Sequence, residues 1–267
     1  MSHLESIEFF RVVAAHNEHV IEGASVLEVG SFDVNGGIRS VFANADRYIG
    51  VDLCEGPGVD IVSAGNELDY ADEFFDVTLS SECFEHNPFW RETFANMVRM
   101  TRPGGLVIIS CASRGRIEHG TSRTVPAHSP GTQSRGMDYY MNLNESDFSG
   151  LGLDEAFTSH KFWYLSSHFD LFFVGIKKGG SEPYAQVPPD DDVLEIGNLM
   201  TVTHKFVTVP FRALSQVVSE PRYQSLALPL SRALRPLIMF EEYRRNTPEF
   251  RWSDVGRALG RRLRPRS

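Results

Sequence analysis

The residues most able to do chemistry cluster around one short loop, Val26-Leu-Glu-Val-Gly-Ser-Phe-Asp-Val-Asn-Gly-Gly37. Glu28 is a carboxylate in an otherwise apolar strand-like run, so it needs a partner. Gly30 permits a tight turn and close approach of a ligand to the backbone. Gly36 and Gly37 are expected to open a helix. About twenty residues on, Asp52 ends a second apolar run, where a carboxylate can accept hydrogen bonds from both hydroxyls of a ribose. A nicotinamide site would bring the backbone N–H groups of G-x-G-x-x-G onto a pyrophosphate. Here Phe32 stands at the second glycine and Asp33 would repel a diphosphate. A nucleoside-like ligand without phosphate is implied, and S-adenosylmethionine, an adenosine carrying a sulfonium cation, has that chemistry.

A second set of polar residues lies between 112 and 137, which reads as a long loop holding His119, His128, several hydroxyl groups and four arginines, and running into Asp138-Tyr139-Tyr140. Loops of this length without regular structure are uncommon in compact domains and are often lids or substrate sites. Hydrogen-bonding groups beside aromatic rings suit a carbohydrate. If the acceptor is an alcohol, its proton must leave during attack, to a general base or under the influence of a metal ion. His119 is the first candidate base and His86, after Glu85, the second. Asp138 could orient a histidine or bind a sugar hydroxyl, or simply cap a helix. Tyr139, Tyr140 and His128 are candidate substrate contacts. Glu82, Glu85 and Asp138 could gather round a divalent ion, although no metal-ligand spacing demands one. His160 and His168 read as packing residues.

Strand-like runs position these groups: Ser25-VLEVG, Arg47-YIGVD, Val59-DIV, Phe74-FDVTLSS and Gly104-GLVIISC, each continuous enough to be buried on both faces. Gly36-GIRSVFANA and Phe89-WRETFANMVRM read as intervening helices, the second with Trp90, Phe94, Met97 and Val98 on one face and Pro103-Gly104-Gly105 as its stop. This rhythm predicts right-handed crossovers and a mostly parallel sheet. Lys161-FWYLSSH and Leu171-FFVGIKK could close it as an antiparallel pair. Phe9, Phe10 and Val13 mark an amphipathic N-terminal helix rather than a signal peptide. The expected fold is α/β and doubly wound, a Rossmann-like, mostly parallel seven-stranded sheet with a closing antiparallel strand. Residues 1–178 form the ligand-binding domain. Residues 179–267, punctuated by Pro210, Pro221, Pro229 and Pro236, form an extension of short helices.

At this point the sequence resembles the class I S-adenosylmethionine-dependent methyltransferases. Val26-LEVGSFDVNGG is similar to their first motif, Tyr48-IGVDLCEGPGVDIV to the second and third strands, Phe75-DVTLSSECFEH to the fourth strand and its "EH" segment, and Met100-TRPGGLVIIS to the "L-K-P-G-G" turn and fifth strand. The resemblance covers about residues 24–178. It implies that S-adenosylmethionine is the methyl donor, with Glu28 and Gly30 against its methionine part and Ser31 and Phe32 in the same loop. It further implies Asp52 on the ribose, Leu53 on the adenine, and Ser80 and Ser81 bordering the methyl group. The acid that often meets the adenine amine is missing, and Asn66 or a backbone carbonyl could substitute. His119-Gly120 and Asp138-Tyr139-Tyr140 also resemble the "H-G…D-Y-x-R" stretch of methyltransferases associated with polysaccharide synthesis. The spacing is longer here and Met141-Asn142 replaces the arginine.

The expected activity is O-methylation of a sugar or glycan hydroxyl. The alternatives are methylation of a small natural product, lipid or quinone, or a non-catalytic cofactor-binding scaffold. The chain has 267 residues, a net charge of −9 and three cysteines without CxxC spacing. That balance disfavours a polyanion partner despite the arginine-rich C-terminus. The flipped-base signature Asn-Pro-Pro-Tyr is replaced by Ser80-Ser-Glu-Cys, which disfavours nucleic acid further. No run approaches the ~20 apolar residues needed to cross a bilayer. A cytoplasmic protein, monomeric or homodimeric, is expected.

Overall fold

The computed structural model describes residues 3–34, 36–180 and 185–245, and the side chains of these except Pro221 and residues 235–245. Seven strands form one sheet: β1 (Ser25–Val29), β2 (Arg47–Asp52), β3 (Ile61–Val62), β4 (Phe75–Ser81), β5 (Thr101–Ala112), β6 (Phe157–Leu165) and β7 (Asp170–Lys177). Their order is β3-β2-β1-β4-β5-β7-β6. The first five are mutually parallel, and β7 runs antiparallel to both neighbours, β5 and β6. The chain reverses direction across the sheet between β1 and β4. Ligands of open α/β sheets bind at the carboxyl ends of the strands flanking such a reversal.

Burial on both faces explains the continuous apolar runs of the inner strands. The run over residues 59–62, expected to be buried, instead ends in the two-residue edge strand β3, where Ile61 and Val62 are exposed because no strand or helix among the described residues covers that edge as it covers the centre. Along β5, Leu106 and Ile108 join one core while Val107 and Ile109 join the other, as the two-residue period of a strand requires. The first core is covered by α1 (Leu4–His16), whose Phe9, Phe10 and Val13 are fully buried, and by the short α2 (Glu18–Ile21). Phe9 stacks on Phe172 of β7 with ring centroids 4.2 Å apart. The second core is covered by α3 (Trp90–Met100), which buries Trp90, Phe94 and Met97, with Val98 partly buried. Phe148 adds a further aromatic ring beside Trp90 and Phe94.

Three further expectations are corrected. The segment after Gly36-Gly37 forms only a 3-10 turn, Arg39–Phe42, not a helix; Phe42 alone of its residues is buried, so a longer helix would gain little packing. Residues 112–137 are not structureless: they contain a 3-10 turn, Pro126–His128, and α4 (Pro130–Ser134), each started by a proline where the missing N–H costs nothing. The short α5 (Leu153–Ala156) then precedes β6.

The third correction concerns the C-terminal part. Short helices α6 (Asp190–Glu195), α7 (Val202–Val207) and α8 (Val209–Val217) do occur, but α9 (Glu220–Arg245) runs unbroken through Pro229 and Pro236. An interior proline forfeits one backbone hydrogen bond at a cost of about 3 kcal/mol. The packing of Tyr223 and Ala227 against Phe169 and Phe211 opposes that cost. Ala185, Val193 and Ile196 belong to the core under α1, so this region is packed into the sheet layer rather than tethered beside it. The arginine-rich stretch beyond residue 245 lies outside the described residues. No helix among the described residues is long and apolar enough to cross a membrane.

Candidate active site

A cavity of about 250 Å³ opens at the carboxyl ends of β1, β2 and β4. Of the donor-site residues expected from sequence, Glu28, Gly30, Ser31, Phe32, Asp52, Leu53, Asn66 and Ser81 line it. Ser80 does not: its hydroxyl donates to the carbonyl of Val29 at 2.8 Å, so it ties β4 to β1 from inside the sheet. Strand alternation decides this, because Ser80 and Ser81 must face opposite sides.

The loop after β1 spends its backbone donors within the protein. Gly30 and Ser31 N–H both donate to Val51 O (2.8 and 3.1 Å), Phe32 N–H to the Asp52 carboxylate (3.1 Å) and Asp33 N–H to Pro57 O (2.8 Å). Four consecutive amides that would cradle a pyrophosphate are therefore occupied. Gly30 has φ +85°, and a Cβ there would lie 2.3 Å from that of Cys83, which fixes glycine at this turn.

The charged side chains on the cavity wall are mostly acidic: Glu28, Asp52, Glu67 and Glu82, against Arg135. Glu28 is buried, accepts a 2.8 Å hydrogen bond from the Tyr48 hydroxyl, and is pushed up to about 7 by desolvation. Asp52 also accepts from its neighbour's amide, Leu53 N–H, at 2.7 Å, and burial raises its pKa. A cation reaching these groups would regain the electrostatic energy that burial removes. The amide nitrogen of Asn96 on α3 donates to the carbonyls of Gly65 and Leu68 (2.8 and 3.0 Å), which holds the turn carrying Asn66 at the cavity edge.

The segment after β5 folds back over this cavity. Ser129, Pro130, Gly131, Thr132, Arg135 and Met137 all line it, and so does His128, as expected. Gly131 lies against Asp52 so closely that a Cβ would sit 2.2 Å from the carboxylate. Arg135 donates to Leu53 O at 3.3 Å. The sequence marks the whole of residues 112–137 as a lid or substrate segment, but of these residues it singles out His128 alone. Contiguity of a Pro-Gly turn with the histidine was the available signal, but the contact with Asp52 spans 79 residues of sequence.

His86 also lines the cavity, and its Nε2 lies 3.3 Å from Nε2 of His119. The two rings are perpendicular, and the Tyr140 ring packs against both. Burial pushes His86 down to about 3 and His119 well below the ordinary histidine value, so both are neutral at physiological pH. The structure thus brings together both candidate histidines. It does not bring Asp138 to them: that carboxylate is at the surface, held below its usual range by the side chain and N–H of Ser122. Tyr140 is packed between imidazoles rather than offered as an open platform, and the Tyr139 hydroxyl turns toward Met141 sulfur at 3.3 Å. The suggested group of Glu82, Glu85 and Asp138 does not assemble either, because Glu82 is engaged elsewhere. It bonds Arg116 at 2.7 Å, and Arg116 also reaches Asp170 at 3.1 Å. His168, expected to be mere packing, lies within 3.1 Å of that guanidinium.

Residues 27–109 match the methyltransferase domain family. The matched domain runs from β1 into β5 and contains the whole β1 loop, Asp52 and the turn after β4. An uncharacterized methyltransferase of Mycobacterium marinum is 37% identical over 111 residues, covering 37% of this chain and 42% of that one. One from Mycobacterium tuberculosis is 32% identical over the same length with the same coverage. The chain therefore spans less than half the length of these curated relatives. Among solved structures, the Burkholderia thailandensis 1,6-didemethyltoxoflavin-N1-methyltransferase, bound to 1,6-didemethyltoxoflavin and S-adenosylhomocysteine, aligns with TM-score 0.44 and 19% identity. It covers 62% of this chain and 76% of its own. The Haemonchus contortus phosphoethanolamine N-methyltransferase 2 with bound S-adenosylmethionine aligns with TM-score 0.42 and 16% identity, covering 58% and 49%. The domain match and the relatives thus agree on a likeness to methyltransferases over the segment that carries the cavity's β1 loop and Asp52. The cavity fits S-adenosylmethionine: its charged wall is mostly acidic, a carboxylate ends β2, and the amides of residues 30–33 are closed to phosphate.

Proposed function

We propose that this protein transfers a methyl group from S-adenosylmethionine to a hydroxyl oxygen of a sugar or glycan. The observation that carries the transfer reading is the β1 loop, whose Gly30 to Asp33 amides are spent on Val51, Asp52 and Pro57 while two carboxylates, the buried Glu28 and the half-buried Asp52, line the cavity. When bound, S-adenosylmethionine supplies the electrophilic methyl group. Glu28 and Gly30 hold its amino-acid end, Asp52 its ribose, and Leu53 and Asn66 its adenine. Ser81 borders the reacting end. Most of the catalytic effect asked of the chain is alignment of acceptor, methyl and leaving sulfur.

Oxygen as the acceptor atom is supported by the imidazole of His86 on the cavity wall with that of His119 beside it; burial leaves both weakly basic, so they suit an alcohol whose proton is acidified by another group. A hydroxyl-rich acceptor is supported by the polar rim contributed by Asn87, His128, Ser129 and Arg135, with the exposed Phe89 ring beside them. Residues 1–178 carry the donor site in this reading, and α9 braces the segment after β5 through Gln224 and Glu220. A small natural product, lipid or quinone is the second reading, favoured by Phe32, Val34, Phe89 and Met137 on the same wall.

The test is direct. S-adenosylhomocysteine should raise the melting temperature and NAD should not; the opposite result would sink the donor assignment. Radiolabelled methyl transfer to a panel of mono- and oligosaccharides, run beside quinones and phenols, then separates the two acceptor classes.

A further inference from the structure

Glu85 is an anomaly that methyl transfer leaves unexplained. It sits in the 3-10 turn Phe84–His86 directly after β4, is fully buried, and neither of its carboxylate oxygens has a hydrogen-bond partner among the described residues. A buried polar group in that condition costs several kcal/mol unless something satisfies it. Its neighbours are the two imidazoles. One ligating atom from each of Glu85, His86 and His119 falls in a group whose members lie within 4.8 Å of one another.

The details favour a metal ion. Two nitrogens each ~2.0–2.1 Å from a tetrahedral zinc-like centre are separated by roughly 3.3–3.4 Å, and the His86 and His119 Nε2 atoms are 3.3 Å apart. His119 Nδ1 lies 3.2 Å from the carbonyl of Ile117. Donation to that carbonyl puts the ring proton on Nδ1 and leaves the Nε2 lone pair facing His86, the usual outer-shell arrangement of a ligating histidine. A hydrogen bond between the two imidazoles would also account for 3.3 Å, but it leaves the Glu85 carboxylate unsatisfied. Two other groups share His3: the one with Glu82 and Asp170 is a poorer cation site because Arg116 already occupies both carboxylates, and the one with Glu5 and His168 has the Arg116 guanidinium 3.1 Å from the His168 ring.

We propose that Glu85, His86 and His119 form a two-histidine, one-carboxylate site for one divalent transition-metal ion of the zinc type. The site joins the carboxyl end of β4 to the segment after β5, so the ion pins the cavity's roof to its floor. Three protein ligands leave at least one position open, as in catalytic rather than structural zinc sites. His86 lines the donor cavity, so the ion stands at its wall. Its chemical role, lowering the pKa of an acceptor hydroxyl, rests on the methyl-transfer reading; its binding does not.

The experiment uses the full chain, dialysed against a chelator and then titrated with Zn2+ or Co2+ alone. Metal content by elemental analysis should reach one equivalent per chain, with a rise in melting temperature and, for Co2+, visible absorption bands of a nitrogen- and oxygen-ligated ion. Glu85→Gln and His119→Gln should each weaken uptake by at least ~10-fold, while S-adenosylhomocysteine binding by the same samples reports that they are folded. Wild-type protein that binds S-adenosylhomocysteine yet takes up neither metal overturns the proposal, as do variants that take up as much as the wild type. Metal uptake without S-adenosylhomocysteine binding would instead remove the methyl-donor reading and leave the metal site standing.

Discussion

Glu28 shows how one residue can set a pH dependence for both stability and binding. Desolvation raises its pKa to about 7, against an ordinary value of 4.5. The folded protein therefore binds a proton that the unfolded chain has already released between those two values, and stability falls as pH rises through that window. The loss should be on the order of 3 kcal/mol, since each pKa unit is worth about 1.4. Glu28→Gln, which still accepts from Tyr48, should flatten this stretch of a melting-temperature profile between pH 4.5 and 7. The same ionisation favours a cationic ligand. Affinity for S-adenosylmethionine should accordingly rise as pH passes about 7 in the wild type, while the variant should bind more weakly and without that rise, as calorimetry at several pH values can check. A wild-type affinity that falls over this range would place Glu28 away from the cation. Glu28 was legible in the sequence as a carboxylate in a buried strand; the hydrogen bond from Tyr48, donated by the adjacent strand, was not.

At the scale of elements, the decisive one is α4, only five residues long. It approaches Asp52 at Gly131, where a Cβ would lie 2.2 Å from the carboxylate oxygen. Gly131→Ala should push α4 off the cavity or turn the Asp52 side chain. We expect at least a tenfold loss of S-adenosylhomocysteine affinity, with the melting temperature of the free protein changed by no more than a few degrees. An unaltered affinity would mean that α4 moves aside in the bound form. α3 was readable from its apolar spacing because its whole stripe is local in sequence. α4 was not, because five residues carry no periodic signal and its stability comes from the surface on which it rests.

The whole molecule is held at the carboxyl edge of the sheet by charges from distant segments. Arg116 pairs with Glu82 after β4 and Asp170 at the start of β7, and His3, before α1, reaches Asp170 at 2.9 Å. Arg116→Met would leave two carboxylates buried without their cation, a change that typically costs about 3–5 kcal/mol; denaturant unfolding measures it, and a loss below 1 kcal/mol would show that His3 or water compensates. α9 contributes from the other side. Its Gln224 accepts from Glu118 N–H at 2.9 Å and donates to Arg116 O at 3.0 Å, next to His119. Gln224→Ala should lower kcat through a loosened roof while leaving donor affinity within twofold, a split that steady-state kinetics and calorimetry together resolve.

The succession of strands along the chain, the carboxylates near the ends of β1 and β2 and the apolar stripe of α3 could be read in advance because each depends on local periodicity or on a short contiguous motif, whereas the spatial order of the strands could not. Which serine of the pair at 80 and 81 faces the cavity, the meeting of His86 with His119, and the passage of α9 through two prolines depended on partners far away along the chain. Such contacts gain their energy only after the sheet has brought strand ends together, and no nearest-neighbour pattern encodes that proximity.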